Sequence, residues 1–113
     1  MSADVLCQVD DLGTATIVHF DYPRLAEETR SRLYELVESA GKTRVVLDFS
    51  DVVAISSVAL GILVTLQRKV TAAGGKLAIC CLDPNLRYLF QITQLDHVLT
   101  LCETKEEAVT AVQ

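Results

Sequence analysis

The stretch Arg44–Leu66 changes its hydrophobic period half-way along. Its first part is a nearly continuous apolar run, Val45–Leu47 with Phe49, which predicts a strand covered on both faces. From Ser57 onward the apolar residues recur at helical spacing instead, at Ala59, Ile62, Leu63, Leu66 and Val70. The pattern predicts a strand–turn–helix unit. Because binding sites in open α/β sheets lie outside the carboxyl ends of strands, the turn at 50–61 is the first candidate site.

The residues before this unit predict a hairpin and a helix. Alternating positions at 5–9 and β-forming residues at 14–20 indicate two strands, joined by turn residues at 10–13. Pro23 suits the first turn of a helix that would end near Gly41. The buried face of that helix is expected at Ala26, Thr29, Leu33, Val37 and Ala40.

The residues after this unit continue the alternation of helix and strand. Gly74 and Gly75 end the helix, and 76–82 is an apolar strand. Asp83 and Pro84 are expected to cap a helix whose core face is Leu86, Leu89, Phe90 and Ile92. A short strand follows at 98–102. Thr104 and Glu107 then match a capping box that starts a last helix, with Ala108, Val109 and Val112 inward.

The predicted element order is β-β-α-β-α-β-α-β-α over a single domain, residues 1–113. Strands that alternate with helices imply parallel pairing, whereas the first two strands form an antiparallel hairpin. We therefore expect an α/β fold with a mixed, mostly parallel sheet of about five strands, flanked by about four helices.

Composition and charge narrow the class of protein. Hydrophobic residues make up 50% of the chain, enough for a core, and the formal net charge of -5 disfavours binding to nucleic acid or an anionic membrane. The start of the chain lacks a signal-peptide pattern, and no apolar stretch reaches the ~20 residues of a membrane span. The chain is therefore expected to be soluble and cytoplasmic, without direct membrane insertion.

The four cysteines, Cys7, Cys80, Cys81 and Cys102, lie inside apolar runs and lack the spacing of a zinc site. Reduced thiols in the core are expected, with Cys80 and Cys81 pointing to opposite faces of the sheet. No metal or cofactor is predicted.

The sequence offers no set of residues that suits catalysis. Nucleotide-binding, zinc-protease and serine-hydrolase motifs are absent, so the chain is not expected to be an enzyme. His19 lies in the second strand with no carboxylate or cysteine at ligand spacing, and a packed or partly exposed strand histidine is expected rather than a ligand or catalytic base; His97 precedes the last strand. Ser56 or Ser57 could cap the helix, or could accept a phosphate that the helix dipole stabilises.

The segment from Arg44 to about Val112 resembles STAS domains, the class of anti-sigma factor antagonists and sulfate-transporter tails. The most specific pieces are Leu47-Asp48-Phe49 with Asp51 and Val52, Ile55-Ser56-Ser57 running into Leu60, Gly74-Gly75, Leu89-Phe90 and Thr93-Gln94-Leu95. Switchable members carry D-S-S-G-L-G or D-S-T-G-L-G at the turn, and an anti-sigma kinase phosphorylates the residue before the first glycine.

On that pattern Ser56 takes the acidic position, Val58 the phosphoacceptor position and Ala59 that of the glycine. Valine cannot accept phosphate, so Ser57, or else Ser56, is the remaining candidate for phosphorylation. The resemblance implies an anti-sigma factor or a related serine kinase as partner, bound through Ser56, Ser57, Val58, Gly61 and Thr65. These helix positions could instead be buried, since Leu60 and Val64 make the helix apolar nearly all round.

The alternatives for the whole chain are an unphosphorylated module of a larger signalling or sulfate-transport assembly, and a nucleotide- or lipid-binding domain.

Overall fold

The computed structural model describes residues 7–113, in which two sheets and four α-helices alternate along the chain. The strands are β1 (Cys7–Asp11), β2 (Thr16–Phe20), β3 (Arg24–Leu25), β4 (Arg44–Asp48), β5 (Ala54–Ile55), β6 (Lys76–Cys80) and β7 (Thr100–Cys102). The helices are α1 (Arg30–Glu38), α2 (Ser57–Ala72), α3 (Pro84–Ile92) and α4 (Lys105–Val112), with 3₁₀ turns at Glu27–Thr29 and Leu95–His97.

The main sheet has the strand order β1-β2-β4-β6-β7. β1 and β2 are antiparallel, and every other neighbouring pair in this sheet is parallel. The predicted fold class, a mixed and mostly parallel sheet with an antiparallel hairpin, is therefore confirmed for the described residues. β4 lies at the centre, and only its first residue, Arg44, is exposed.

Two apolar clusters cover the two faces of the sheet. Alternate residues of β4 divide between them, because Val45 and Leu47 point into one cluster and Val46 into the other. The larger cluster receives the buried sides of α1, α2 and α3, and the smaller one receives Ala108 and Val112 of α4. The five predicted α2 residues are buried, as expected from their spacing: Ala59, Ile62, Leu63, Leu66 and Val70.

The helix predicted to start at Pro23 starts later. Arg24 and Leu25 are extended and pair in parallel with Ala54 and Ile55, so α1 begins only at Arg30. Thr29, Leu33 and Val37 are buried as expected, but Ala40 is exposed because α1 ends at Glu38. The residues before Cys7 in the first predicted strand lie outside the described residues.

The caps of the C-terminal helices agree with the sequence. The Asp83 side chain accepts a hydrogen bond from the Asn85 N–H, and Thr104 and Glu107 form a complete capping box. The prediction that Ile92 belongs to the core face of α3 is wrong. Ile92 is 59% exposed, since it ends α3 on the side away from the core.

Cys80 and Cys81 pack against the same cluster, contrary to the prediction of opposite faces. β6 ends at Cys80, and Cys81 has a φ of 66°, so the alternation of a strand no longer applies to it. Cys80, Cys81 and Cys102 are free thiols, whereas the side chain of Cys7 lies outside what the structure describes. Among the described residues, no helix has the length and apolar character needed to cross a membrane.

Candidate functional site

The turn before α2 is held in place by the backbone of residues 23–25. The N–H groups of Val53 and Ala54 donate to the Pro23 carbonyl at 2.7 and 3.0 Å, and that of Ser56 donates to the Leu25 carbonyl at 3.0 Å. These bonds and the β3–β5 pairing satisfy the extended backbone on both sides. The start of α2 is therefore presented from a fixed support at the carboxyl edge of the main sheet.

The two candidate serines have different roles in the helix start. Ser56 is the N-cap, with extended backbone and a hydroxyl that accepts a hydrogen bond from the Ala59 N–H at 3.1 Å. Ser57 is the first helical residue and is exposed. In the described part of the chain, neither serine side chain hydrogen-bonds to a histidine. The predicted cap is thus Ser56, and Ser57 is the more accessible hydroxyl.

One strip of α2 faces away from the core. Val58 is 44% exposed, Gly61 and Arg68 are exposed, and Thr65 is half-buried. An added Cβ at Gly61 would meet no atom within 4 Å. The predicted binding positions therefore lie together on an accessible, shallow surface. Burial of the whole helix, the competing expectation, does not occur: Leu60 and Val64 are also only partly buried.

Two further exposed apolar side chains lie on the segments that support this helix start. Val53 is 57% exposed and its N–H donates to the Pro23 carbonyl, and Tyr22, the residue before Pro23, is 39% exposed. We define the α2 surface as Ser56, Ser57, Val58, Gly61 and Thr65, flanked by Tyr22 and Val53. Sequence reasoning missed the two flanking residues, since β3 and β5 are too short to give a periodic signal.

A second group of polar residues lies at the ends of β2 and β4. His19 pairs with Asp48 in the parallel register, and its Nδ1 is 3.1 Å from Asp48 Oδ2. Its Nε2 is 2.8 Å from Asp51 Oδ2 and 3.5 Å from Asp21 Oδ1. Lys105 Nζ of α4 lies 3.4 Å from Asp48 Oδ2. The sequence pattern indicated no carboxylate at ligand spacing from His19, yet the structure brings three carboxylates to its ring. Asp21 is two residues away in the chain, whereas Asp48 and Asp51 are 29 and 32 residues away.

The charges in this group stabilise one another. Burial by itself lowers the pKa of His19, but its hydrogen bonds to Asp48 and Asp51 outweigh burial and raise the pKa overall. Burial raises the pKa of Asp48, yet the Ser50 N–H and His19 more than offset it, so that the pKa of Asp48 is lowered. The signal available in the sequence was positional: His19 and Asp48 both end strands that are adjacent and parallel.

Comparison with known protein families identifies the family of this chain. Residues 13–108 match the STAS domain, which is most of the chain and includes every strand except β1, the α2 surface and the start of α4. The chain belongs to the STAS domain family. The family resemblance inferred from the turn and the following helix is confirmed.

One curated relative is a Thermotoga neapolitana protein that is provisionally named as an anti-sigma factor antagonist homologue. It is 32% identical to this STAS domain over 73 residues, which are 65% of this chain and 65% of that protein. The chain thus spans just under two thirds of that relative. Together with the family match, this supports an anti-sigma factor antagonist-like STAS domain.

Solved structures agree with the fold. An anti-sigma factor antagonist (STAS) domain protein from Planctomyces limnophilus has a TM-score of 0.82 and 26% identity, covering 93% of this chain and 96% of that one. The Bacillus cell fate determinant SpoIIAA, solved in its phosphorylated form, has a TM-score of 0.70 and 19% identity, covering 95% of this chain and 99% of that one. At that identity, the second comparison shows the fold alone.

Proposed function

We propose that this STAS domain binds an anti-sigma factor, or a serine kinase of that class, through the α2 surface. The observation that carries the proposal is the exposed strip at the start of α2, where a large apolar side chain, Val58, stands 44% exposed. Exposed apolar residues on a fixed support are typical of a protein-binding surface. The names of the relatives supply the class of partner.

The same proposal assigns Val58 to the position that accepts phosphate in switchable relatives. Regulation through that position is then lost, and Ser57 is the acceptor we propose if the domain is phosphorylated. Ser57 is exposed at the first helical residue, whereas the Ser56 hydroxyl is half-buried and already caps the helix. A phosphate on Ser57 would lie at the positive end of the α2 dipole, and would add about two negative charges to an apolar contact surface.

A charge placed at Val58 tests the surface. We expect Val58→Glu to weaken the complex with the anti-sigma factor or kinase encoded near its gene by at least tenfold, about 1.4 kcal/mol, because the carboxylate would be desolvated at the interface. Glutamate in the first turn of a helix is favourable for folding, so lost binding would not reflect lost structure. Affinity is measured by titration calorimetry, and folding by thermal unfolding of the same samples.

Val98→Glu is the matched control. Val98 is 48% exposed, close to the value for Val58, but it precedes β7 at the opposite, amino edge of the sheet. This variant should bind like the parent domain. Equal affinity of the Val58→Glu variant and the parent would refute the assignment of the α2 surface.

Phosphopeptide mapping of the protein from its native cells tests the switch. Trypsin releases residues 45–68 as one peptide, which contains both serines. Phosphate on Ser57 would support a displaced acceptor, and a well-covered, unmodified peptide under several growth conditions would support an unswitched binding domain.

A further inference from the structure

The polar group at the ends of β2 and β4 brings together side chains that can bind a metal ion, and the proposed function of the α2 surface does not use them. His19 Nε2, an Asp21 oxygen and an Asp51 oxygen lie within 4.8 Å of one another. They come from two places in the chain: His19 and Asp21 lie two residues apart at the end of β2, and Asp51 lies on the loop that follows β4. The chain therefore converges on one point with an imidazole and two carboxylates.

The remaining nitrogen of His19 has the partner that metal-bound histidines usually have. Its Nδ1 hydrogen-bonds to Asp48, whose side chain is only 3% exposed. Asp48 is itself fixed by the Ser50 N–H at 3.0 Å and by Lys105. A buried carboxylate on Nδ1 keeps that nitrogen as a hydrogen-bond donor, so that Nε2 offers its lone pair to a cation once it releases its own proton.

The two separations from His19 Nε2 to its carboxylate neighbours are close to those of a zinc site. Ligand bonds of 2.0–2.2 Å in a tetrahedron put neighbouring ligand atoms about 3.4 Å apart. The separation from His19 Nε2 to Asp21 Oδ1 is 3.5 Å, which already fits. The 2.8 Å separation from Nε2 to Asp51 Oδ2 must widen by about 0.6 Å, and Asp51 can move because its side chain is 62% exposed.

Charge and access favour the same ion. Among the described residues, one lysine, Lys105, pairs with this group of three carboxylates, through Asp48. With His19 neutral, Asp21, Asp48, Asp51 and Lys105 leave two negative charges that a divalent cation would balance. The His19 and Asp21 side chains are 25% and 37% exposed, so an ion can enter from solvent and retain water in its fourth position.

We propose that His19, Asp21 and Asp51 bind one Zn²⁺ ion, with Asp48 as the positioning residue for the His19 ring. Zinc takes the place on Nε2 that a proton holds in the metal-free cluster, so binding releases that proton to solvent while the bond from Nδ1–H to Asp48 is kept. The ion would join the end of β2 to the loop that leads to α2.

The test is titration of the reduced, tag-free chain with Zn²⁺ at pH 7.5, followed by calorimetry. One ion per chain is expected, together with a rise in the unfolding temperature on addition of zinc. His19→Gln and Asp51→Asn should each weaken binding at least tenfold, and Asp48→Asn should weaken it about tenfold to a hundredfold. Asp51 is exposed, so its variant keeps the test valid if a change at His19 or Asp48 impairs folding.

His97→Gln is the matched control, since His97 is 77% exposed and has only Asp96 nearby, at 3.9 Å. It should bind zinc like the parent chain. Co²⁺ is the second probe, and its complex should lack the near-ultraviolet charge-transfer band of a thiolate ligand, which separates this site from the cysteines. Absence of zinc binding by the parent chain would overturn the proposal. So would equal zinc affinity of the Asp51→Asn and His97→Gln variants, or a thiolate band with Co²⁺.

Discussion

Gly61 is the position at which stability and partner binding should respond in opposite directions. It lies inside α2, is exposed, and has no heavy atom within 4 Å of an added Cβ. Glycine in a helix interior is about 0.8–1.0 kcal/mol less favourable than alanine. Because the structure adds no steric cost, Gly61→Ala should raise the free energy of unfolding by nearly that full amount.

The expected shift in melting temperature follows from the length of the chain. With an unfolding entropy of about 2.1 cal/mol/K per residue, 113 residues give about 240 cal/mol/K. A gain of 1 kcal/mol then corresponds to a rise of about 4 °C in the melting temperature. Differential scanning calorimetry of the parent and variant measures this shift directly.

Gly75→Ala is the contrasting variant. A Cβ at Gly75 would lie 1.9 Å from the Thr43 carbonyl oxygen, and that oxygen also accepts the Lys76 N–H that starts β6. Backbone must move to relieve the contact, so we expect a loss of about 2–4 kcal/mol. The two glycines thus separate helix propensity from close packing within one chain.

The proposed binding surface adds a second measurement on the same variant. A methyl group at Gly61 would stand on the α2 surface, where a fitted partner has no room for it, so affinity should fall about tenfold while the melting temperature rises. A melting temperature equal to or below that of the parent would refute the packing argument. Unchanged affinity would place Gly61 outside the interface.

Two other outcomes follow from the described contacts. Ser56→Ala should lower the free energy of unfolding by about 1 kcal/mol in urea titrations, because the Ala59 N–H loses its cap. Ser57→Ala should change it by less than about 0.5 kcal/mol. Equal effects of the two substitutions would show that Ser56 is not the cap. Cys80 is buried, and burial raises its pKa. In the native protein, alkylation followed by peptide mapping should therefore label Cys80 after Cys81 and Cys102, whereas after unfolding it should be labelled readily. Early labelling of Cys80 would contradict the packing of α4 over β6.

Local patterns were sufficient to predict the elements that carry the α2 surface. The 3.6-residue spacing of α2 identified its five buried residues, and Asp83, Thr104 and Glu107 marked helix starts because capping depends on neighbours within three residues. The error at Pro23 has the opposite cause. Arg24 and Leu25 are extended because they pair with Ala54 and Ile55, some 30 residues away, and two-residue strands leave no periodic pattern.

The contact between His19 and Asp48 could not be predicted from local patterns for a related reason. His19 and Asp48 are 29 residues apart, and they meet only because β2 and β4 are adjacent, parallel and in the register that pairs them. Once a mostly parallel sheet is predicted, however, the last polar residues of neighbouring strands are expected at one edge. That rule leads from Asp48 to His19, and from there to Asp51 on the loop toward α2. The α2 surface and the polar group therefore arise from one cause, since both are built where β4 ends and the chain turns back over the sheet.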